Sequence, residues 1–226
     1  MVNKISRVNK PPLVWGLIKL PFQSLRSKLL KIFLQNFDHI KQEGNLNNKV
    51  ICLDVGGITK GFETLGNSCR AIAVNLVVRE SVEGWDFILA DGRFLPFRDG
   101  AVDIVICSAV LEHVHEGREE LAREIKRVSK GGYFISVPYL YAPIESHYLV
   151  PFFQFVPESI KKFLLFKLGL RIGWMSKRNY EEIKLLRKSH LKDLFPEAQI
   201  RLLRLFGIPL SLVALRNKHD CHKSTK

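Results

Sequence analysis

The sequence predicts an α/β fold, in which a mostly parallel, seven-stranded sheet carries helices on both faces and ends in an antiparallel strand. Short apolar runs of strand length alternate with helix-forming segments, which is typical of parallel sheets. The last two runs follow each other closely enough to pair as antiparallel neighbours. The predicted strands are 50–55, 71–76, 86–90, 102–108, 133–137, 200–205 and 210–215.

The first strand, Val50–Val55, is short and apolar, as expected for a strand buried in the middle of a sheet. It ends at Gly56-Gly57, and glycine lets a backbone approach a ligand closely. Ligands of open α/β sheets bind at the carboxyl ends of the strands. Asp54 lies near that end, so we expect it to orient the loop or to receive a ligand's ammonium group.

Helices are predicted between and after the strands. The segment Arg118–Val128 has one charged face and one apolar face, the latter formed by Leu121, Ile125 and Val128. A second helix is predicted over 157–168, with Pro157 in its first turn. A third is predicted over 180–195.

The chain divides into a central domain, 50–216, and two appendages. Residues 1–49 form a basic, amphipathic extension, which is expected to pack on the central domain or to lie on a membrane surface. Residues 217–226 form a polar tail, and 139–180 form an insertion with many aromatic and basic residues. The net charge of +13 is concentrated toward both ends. Such basic ends favour anionic partners such as phospholipid surfaces, nucleic acid or phosphorylated substrates, or they are ordinary solvated surface.

The four cysteines do not form a recognisable metal site or disulfide framework. None lies in a Cys-x-x-Cys pair, and Cys52 and Cys107 lie inside apolar runs. We therefore expect reduced, buried thiols in a cytoplasmic protein, and no bound metal. No apolar run reaches the ~20 residues that span a bilayer, and no cleavage site follows the basic N-terminus.

A more specific pattern extends from the third predicted strand to the fifth. Its segments, in chain order, are Ala90-Asp91-Gly92, Leu95-Pro96-Phe97, Val102-Asp103, Leu111-Glu112-His113 and Lys130-Gly131-Gly132. In order and spacing they resemble the class I S-adenosylmethionine-dependent methyltransferases of the ubiquinone/menaquinone-biosynthesis-like type, the type 11 methyltransferase domain. The resemblance covers residues 50–138 well and 180–216 loosely. It implies a Rossmann-like sheet with S-adenosyl-L-methionine as cofactor.

The resemblance also implies which residues bind the cofactor. Asp91 is expected to accept a hydrogen bond from the adenine amino group, and Gly92 to keep that wall of the pocket thin. The turn from Asp54 to Gly57 is expected to hold the methionine end, and Ser108 to line the floor near the sulfonium. The full implied set is Asp54, Gly56, Gly57, Asn75, Asp91, Gly92 and Ser108, whereas Asp103 is expected to be structural.

Two positions depart from the family pattern. Ile58 follows Gly56-Gly57 where a further glycine normally lets the backbone pass close to the cofactor. Asn75 ends the second strand, where members of the family carry an acidic residue that grips both ribose hydroxyls. Asparagine has one oxygen acceptor, so that bidentate grip is lost. We expect weaker cofactor binding, or ribose recognition by a neighbouring group.

Two histidines are candidate catalytic residues. A hydroxyl acceptor benefits from a general base, and histidine is the usual base near neutral pH. His113 follows the fourth strand, on the face where the family binds acceptors, and is the first candidate. His147 lies in an aromatic segment after the fifth strand and is the second. Alternatively, His113 braces its loop through hydrogen bonds and His147 belongs to an aromatic packing loop.

The insertion indicates a class of acceptor. Its phenylalanines stand beside Lys161, Lys162 and Lys167, which suits a lid that touches a membrane or a lipidic acceptor, or else a hydrophobic cap on the core. It loosely resembles an insertion in methyltransferases of glycan and lipid-linked saccharide pathways. We therefore predict O-methylation of a small-molecule, saccharide or lipid-linked acceptor, with peripheral membrane contact.

Two other functions stay open at this point. Ile58 and Asn75 favour a non-catalytic binding or scaffold protein on the same fold. The basic ends favour an RNA methyltransferase. However, Ser108-Ala109-Val110-Leu111 stands where nucleic-acid branches of the family carry an Asn/Asp-Pro-Pro-aromatic motif, so a nucleic-acid partner is disfavoured. A nicotinamide enzyme is disfavoured too, because Gly-x-Gly-x-x-Gly is absent.

Overall fold

The computed structural model describes most of the central domain and a few residues before it. The described residues are 28, 30, 32–34, 50–57, 69–77, 84–144, 147, 150–170, 172, 180 and 182–217. The expectations for Ile58, for most of the N-terminal extension and for nearly all of the polar tail concern residues outside these ranges.

Seven strands form one sheet: β1 (Ile51–Val55), β2 (Arg70–Asn75), β3 (Trp85–Leu89), β4 (Val102–Ser108), β5 (Ser129–Pro138), β6 (Gln199–Leu205) and β7 (Ile208–Asn217). Their spatial order is β3-β2-β1-β4-β5-β7-β6. All neighbours are parallel except β7, which runs antiparallel to both β5 and β6. The sheet confirms the predicted α/β class, including the antiparallel last strand.

Successive side chains of the strands point to opposite faces of the sheet, and each face has its own apolar core. On one face, buried residues of α1 (Arg118–Val128) pack against the sheet. Leu191 and Phe195, from the helical segment that precedes β6, pack on the same face. On the other face, Leu30 and Phe33 pack against the strands, and the Phe33 and Phe134 rings lie 5.9 Å apart. These two side chains of the N-terminal segment therefore contribute to the core.

The insertion after β5 builds a small core of its own. Helix α2 (Glu158–Lys162) continues directly into a π-helical turn, Phe163–Lys167, so the predicted helix over 157–168 is confirmed in extent. Phe153 and Leu165 are buried in this small core rather than in the main one. Gln154 ties this small core to the start of the insertion, because its Nε2 donates to the carbonyl oxygen of Ala142 at 2.6 Å, four residues after β5.

The predicted helix over 180–195 is wrong in its first half. Only α3 (Lys188–Leu194) is helical, and the described residues before it are not. Lys184 N–H donates to the carbonyl oxygen of Glu112, and Leu140 N–H donates to that of Leu186. Because these backbone hydrogen bonds to distant segments replace intrahelical ones, tertiary structure overrides the local helical pattern here.

The strand order creates a crevice at the carboxyl ends of β1 and β4. The chain leaves β1 for β2 on one side and returns to β4 on the other, and such a switch point is where open α/β sheets bind ligands. Asp103 in β4 fixes the register of β1 and β4 at their amino ends, away from the crevice, since its Oδ2 accepts a hydrogen bond from Ile51 N–H at 2.8 Å. Its structural role was expected.

Candidate active site

The turn after β1 is built around the carboxylate of Asp54. That side chain is only 1% exposed, and it lies directly against Gly57. A Cβ at position 57 would lie 1.6 Å from Asp54 Oδ2, and one at Gly56 would lie 2.5 Å from a methyl group of Val110. Gly56 also has φ +72°, which favours glycine. The structure therefore places Asp54, Gly56 and Gly57 together at the switch point and requires glycine at both positions.

Asn75 holds this turn from the end of β2. Its Nδ2 donates to the carbonyl oxygens of Gly56 and Gly57 at 3.3 and 3.2 Å, and its Oδ1 accepts from Val77 N–H at 3.3 Å. A carboxylate at this position would have no proton to donate and would repel both carbonyl oxygens. The departure from the family's acidic residue thus has a structural reason, whereas the ribose contact of Asn75 stays a prediction.

Replacing Asn75 with aspartate is expected to destabilise the turn. The substitution removes two hydrogen bonds, each worth about 0.5–1.5 kcal/mol, and places a negative charge against two carbonyl oxygens. We expect a lower thermal unfolding midpoint and weaker cofactor binding in Asn75→Asp. Differential scanning calorimetry with and without cofactor measures both. Cofactor binding that is tighter in Asn75→Asp than in the wild type would contradict this role.

Asp91, the expected adenine acceptor, lies in the loop after β3 and is paired with Arg93. Arg93 Nη2 donates to Asp91 Oδ2 at 2.7 Å, and Arg93 N–H and Nε donate to Oδ1 at 2.9 and 3.1 Å. These hydrogen bonds keep the pKa of Asp91 below its usual value. Arg93 Nε also donates to Oδ2 at 3.1 Å, so four hydrogen bonds from Arg93 reach a carboxylate that has about four acceptor sites. An adenine amino group would therefore have to displace part of this pairing or share an acceptor with it.

Gly92 is placed as expected, at a close approach to the main core. A Cβ there would lie 2.8 Å from a methyl carbon of Val55 and 3.0 Å from one of Leu121. Because both neighbours belong to the packed core, any side chain at position 92 would displace the loop from the end of β1. The close approach explains why glycine stands at position 92, whereas its place beside the adenine stays a prediction.

Helix α1 fixes the rest of this loop. Glu124 Oε2 accepts a hydrogen bond from Leu95 N–H at 2.8 Å, and Arg127 Nη1 donates to the carbonyl oxygen of Phe97 at 2.7 Å. Arg127 also pairs with Glu124 itself, at 2.6 Å between Nε and Oε1. Leu95 is buried in the main core and Phe97 packs against it. Both therefore pack on the sheet.

The pairing of Glu124 with Arg127 predicts a loss of stability in acid. The hydrogen bonds from Arg127 hold the pKa of Glu124 below its usual value. A depressed carboxylate pKa contributes stability above the unfolded-state value, about 4.3, and loses it as the pH falls through the folded-state value. We expect Glu124→Gln to be less stable than wild type near neutral pH, with a difference that shrinks below about pH 4. Thermal unfolding measured across this pH range tests the expectation, and a constant difference would contradict it.

The floor of the crevice is formed where β4 ends. Ser108 is half-buried there, and Ala109 follows with φ +56°, a left-handed conformation that is strained for a residue with a Cβ. Ala109 N–H donates to the carbonyl oxygen of Ser136 at 2.8 Å, which holds this conformation against β5. Val110 then contacts Gly56, so the ends of β1 and β4 meet at this point.

His113 and His147, the two candidate catalytic histidines, come together beside this floor. Their ring centroids lie 5.5 Å apart with an interplanar angle of 80°, and both side chains are half-buried. His115, two residues after His113, is exposed. Glu112 was quoted in the sequence motif without a role, yet its side chain is fully buried next to the two histidines. The sequence offered no signal for this juxtaposition, because His147 is contributed by a distant segment.

Arg118 fixes the segment that carries His113. Its Nε donates to the carbonyl oxygens of Leu111 and Val114 at 2.9 and 2.7 Å, and its Nη2 donates to that of Lys184. Nearby, burial raises the pKa of the Cys107 thiol well above its usual range, with further contributions from the charges of Asp54 and Glu112. Cys52, Cys69 and Cys107 are buried and form no disulfide, as expected for Cys52 and Cys107.

These elements fit a cationic nucleotide-like ligand. Two buried carboxylates, Asp54 and Glu112, lie near the carboxyl ends of β1 and β4, and negative charge there favours a cationic group. The glycine turn brings the backbone against Asp54 and Val110, where no Cβ fits, and Asp91 lies in the loop after β3. Among the described residues, no helix is both long and apolar enough to cross a bilayer.

Part of the chain is similar to known methyltransferases. Residues 53–136 match the family model described as a methyltransferase domain. A SAM-dependent methyltransferase structure from Methanosarcina mazei superimposes with a TM-score of 0.52 and 16% identity, covering 76% of this chain and 93% of that one. Another, from Aquifex aeolicus, has a TM-score of 0.46 and 12% identity, covering 84% and 97%. No curated protein matches the sequence.

The family match spans the glycine turn, the Asp91 loop, the end of β4 and α1, which are the elements that build the crevice. The superposed Methanosarcina structure shares the Rossmann-like sheet. Residues 53–136 are therefore similar to a methyltransferase domain, and the sheet that contains them has the fold of an S-adenosylmethionine-dependent methyltransferase.

Proposed function

We propose that this methyltransferase acts on an oxygen atom of a saccharide or lipid-linked acceptor. The observation that carries the proposal is the pair of half-buried imidazoles, His113 and His147, beside the floor formed by Ser108. Bound S-adenosylmethionine supplies an electrophilic methyl group, so the protein must orient the acceptor and remove its proton. An alcohol needs such a proton acceptor near neutral pH, and imidazole provides it.

In this proposal each part of the crevice has one task. Asp54 and the glycine turn receive the cofactor's methionine end, and Asp91 accepts the adenine amino group. His113 is the first candidate for activating the acceptor hydroxyl, and His147 faces the same position from the insertion side. Asn75 keeps the turn in place, through its bonds to Gly56 and Gly57.

A lipid-linked acceptor is favoured by an apolar surface on the insertion. Large apolar side chains are exposed there, and we call them the aromatic surface: Phe152, Phe155, Ile160, Phe163, Phe166 and Leu168. Lys162 and Lys167 are exposed within the same segment. Lys161 was expected to join them but is buried, and its Nζ donates to the carbonyl oxygen of Gln154 at 3.3 Å. Apolar side chains flanked by exposed lysines suit an anionic lipid surface.

Vesicle sedimentation tests the membrane contact. We expect the protein to sediment with phosphatidylserine-containing vesicles at low salt, and much less with neutral vesicles. The double variant Phe155→Ser/Phe163→Ser should stay in the supernatant. Phe206→Ser is the matched control, because Phe206 is 92% exposed in the turn between β6 and β7, outside the aromatic surface. Equal sedimentation of both variants would contradict the assignment.

The acceptor class is tested separately with methyl-labelled S-adenosylmethionine. We expect label in the organic phase after incubation with a glycolipid extract, in a form that is stable to base as a methyl ether is. Label in added RNA, with none in the extract, would contradict the proposal and favour the RNA alternative.

A further inference from the structure

Glu112, His113 and His147 present three potential ligand atoms to one point. One carboxylate oxygen and one nitrogen of each imidazole all lie within 4.8 Å of one another. Ligand atoms of a single zinc ion each lie about 2.0–2.2 Å from the metal, so their mutual separation is roughly 3–3.5 Å. Small rotations of the three side chains would bring their ligand atoms from within 4.8 Å to the separation that one ion requires. From this geometry we infer that the three residues bind one divalent transition-metal ion.

The donor set selects the kind of ion. Two imidazoles and one carboxylate suit zinc and its transition-metal neighbours, whereas magnesium and calcium prefer sets made of oxygen. Three protein ligands leave a fourth position for water or substrate, which is the arrangement of catalytic rather than structural zinc. No metal was expected from the sequence because Cys-x-x-Cys pairs are absent, but these ligands come from two distant segments.

Arg118 braces the segment that carries two of the three ligands. The Glu112 side chain is fully buried beside His113. The neighbouring cation is Arg118, whose Nε and Nη2 donate to the carbonyl oxygens of Leu111, Val114 and Lys184. Arg118 therefore holds the backbone around Glu112 and His113 in place, and a metal site needs its ligands to be held in this way.

The backbone holds both sides of the cluster. Lys184 N–H donates to the carbonyl oxygen of Glu112 at 3.0 Å, next to the ligand segment. On the other side, Gln154 bonds the insertion to the chain after β5, from which His147 comes. Closure of the three ligands on an ion would therefore join the insertion to the floor of the crevice.

For catalysis this inference rests on the proposed function and deepens it. An acceptor hydroxyl on the fourth position would lose its proton to solvent, because a bound metal lowers the pKa of coordinated oxygen. That oxygen then forms a bond to the methyl carbon as the carbon–sulfur bond breaks, which releases neutral S-adenosylhomocysteine. His113 would then act on the acceptor through the ion rather than by taking the proton itself.

Zinc binding to the untagged full chain is the direct test. We expect one zinc ion per chain after dialysis, and a cobalt-substituted protein with visible absorption typical of tetrahedral or five-coordinate nitrogen and oxygen ligands. Glu112→Gln, His113→Asn and His147→Asn should each weaken zinc binding by more than the roughly 10–100-fold that loss of an outer-shell partner costs. Glu116→Gln and His115→Asn are matched controls, since both residues are exposed in the same loop, and they should bind zinc like wild type.

Each outcome separates the metal site from the methyl transfer. Zinc that binds equally to wild type and the three ligand variants, or not at all, overturns the inference and leaves His113 as an imidazole base. Full methyl-transfer activity after complete chelation would overturn the catalytic part. Zinc binding lost in the ligand variants, with no transfer to any oxygen acceptor, would support the site and contradict the proposed function. S-adenosylhomocysteine binding by each variant reports whether the crevice is folded.

Discussion

Gly57→Ala is expected to abolish measurable binding of S-adenosylmethionine. A Cβ at position 57 would lie 1.6 Å from Oδ2 of the buried Asp54 carboxylate, far inside van der Waals contact. Gly57 does not have a positive φ, so the effect arises from the collision rather than from backbone strain. Relief requires the turn or the carboxylate to move, and we expect both to hold the methionine end of the cofactor. Isothermal titration calorimetry measures the loss.

The double variant Asp54→Ser/Gly57→Ala distinguishes the collision from general unfolding. It removes the carboxylate, so thermal stability should recover toward that of Asp54→Ser, while cofactor binding stays lost. Gly207→Ala is the control for a glycine replacement without a collision, because an added Cβ would meet nothing within 4 Å although φ +81° disfavours alanine there. It should lower stability yet keep wild-type cofactor affinity. Wild-type affinity in Gly57→Ala would show that the turn does not contact the cofactor.

His113→Asn is expected to lower kcat by about 10²–10⁴-fold, the usual contribution of a positioned proton-transfer group. Cofactor affinity should stay near wild type, because our proposal assigns the side chain to the acceptor and not to the cofactor. His115→Asn changes an exposed histidine in the same loop and should leave kcat unaltered. The measurement is steady-state transfer of labelled methyl groups to the acceptor found in the extract. An unchanged kcat in His113→Asn would remove this residue from the chemistry.

The sheet was predictable because its signals are local. Strand β4 and helix α1 have the predicted bounds, and the other strands differ by a few residues at their ends. Burial patterns along short strands depend on which side chains are apolar, and the sequence shows that directly. The glycine turn and the Asp91 loop were also predicted, since their roles depend on residue types at fixed spacing.

Features that depend on distant contacts were not predictable. The side-chain amide of Asn75 donates hydrogen bonds to the carbonyl oxygens of the turn after β1. These bonds explain why asparagine stands where the family pattern has an acidic residue. Lys161 is buried, and its Nζ donates to the carbonyl oxygen of Gln154, although lysines are usually exposed. The extended backbone before α3 and the approach of His147 to Glu112 likewise require the folded chain.

Calorimetric titration with S-adenosylmethionine and S-adenosylhomocysteine tests the central claim, that the crevice between β1 and β4 binds the methyl donor. We predict micromolar binding by the wild type and a large loss in Asp91→Ala, which removes the adenine acceptor. Arg93→Ala keeps Asp91 but removes its internal partner, and should retain binding. Absence of binding at millimolar ligand, or equal affinity in Asp91→Ala and wild type, would contradict the assignment of this site.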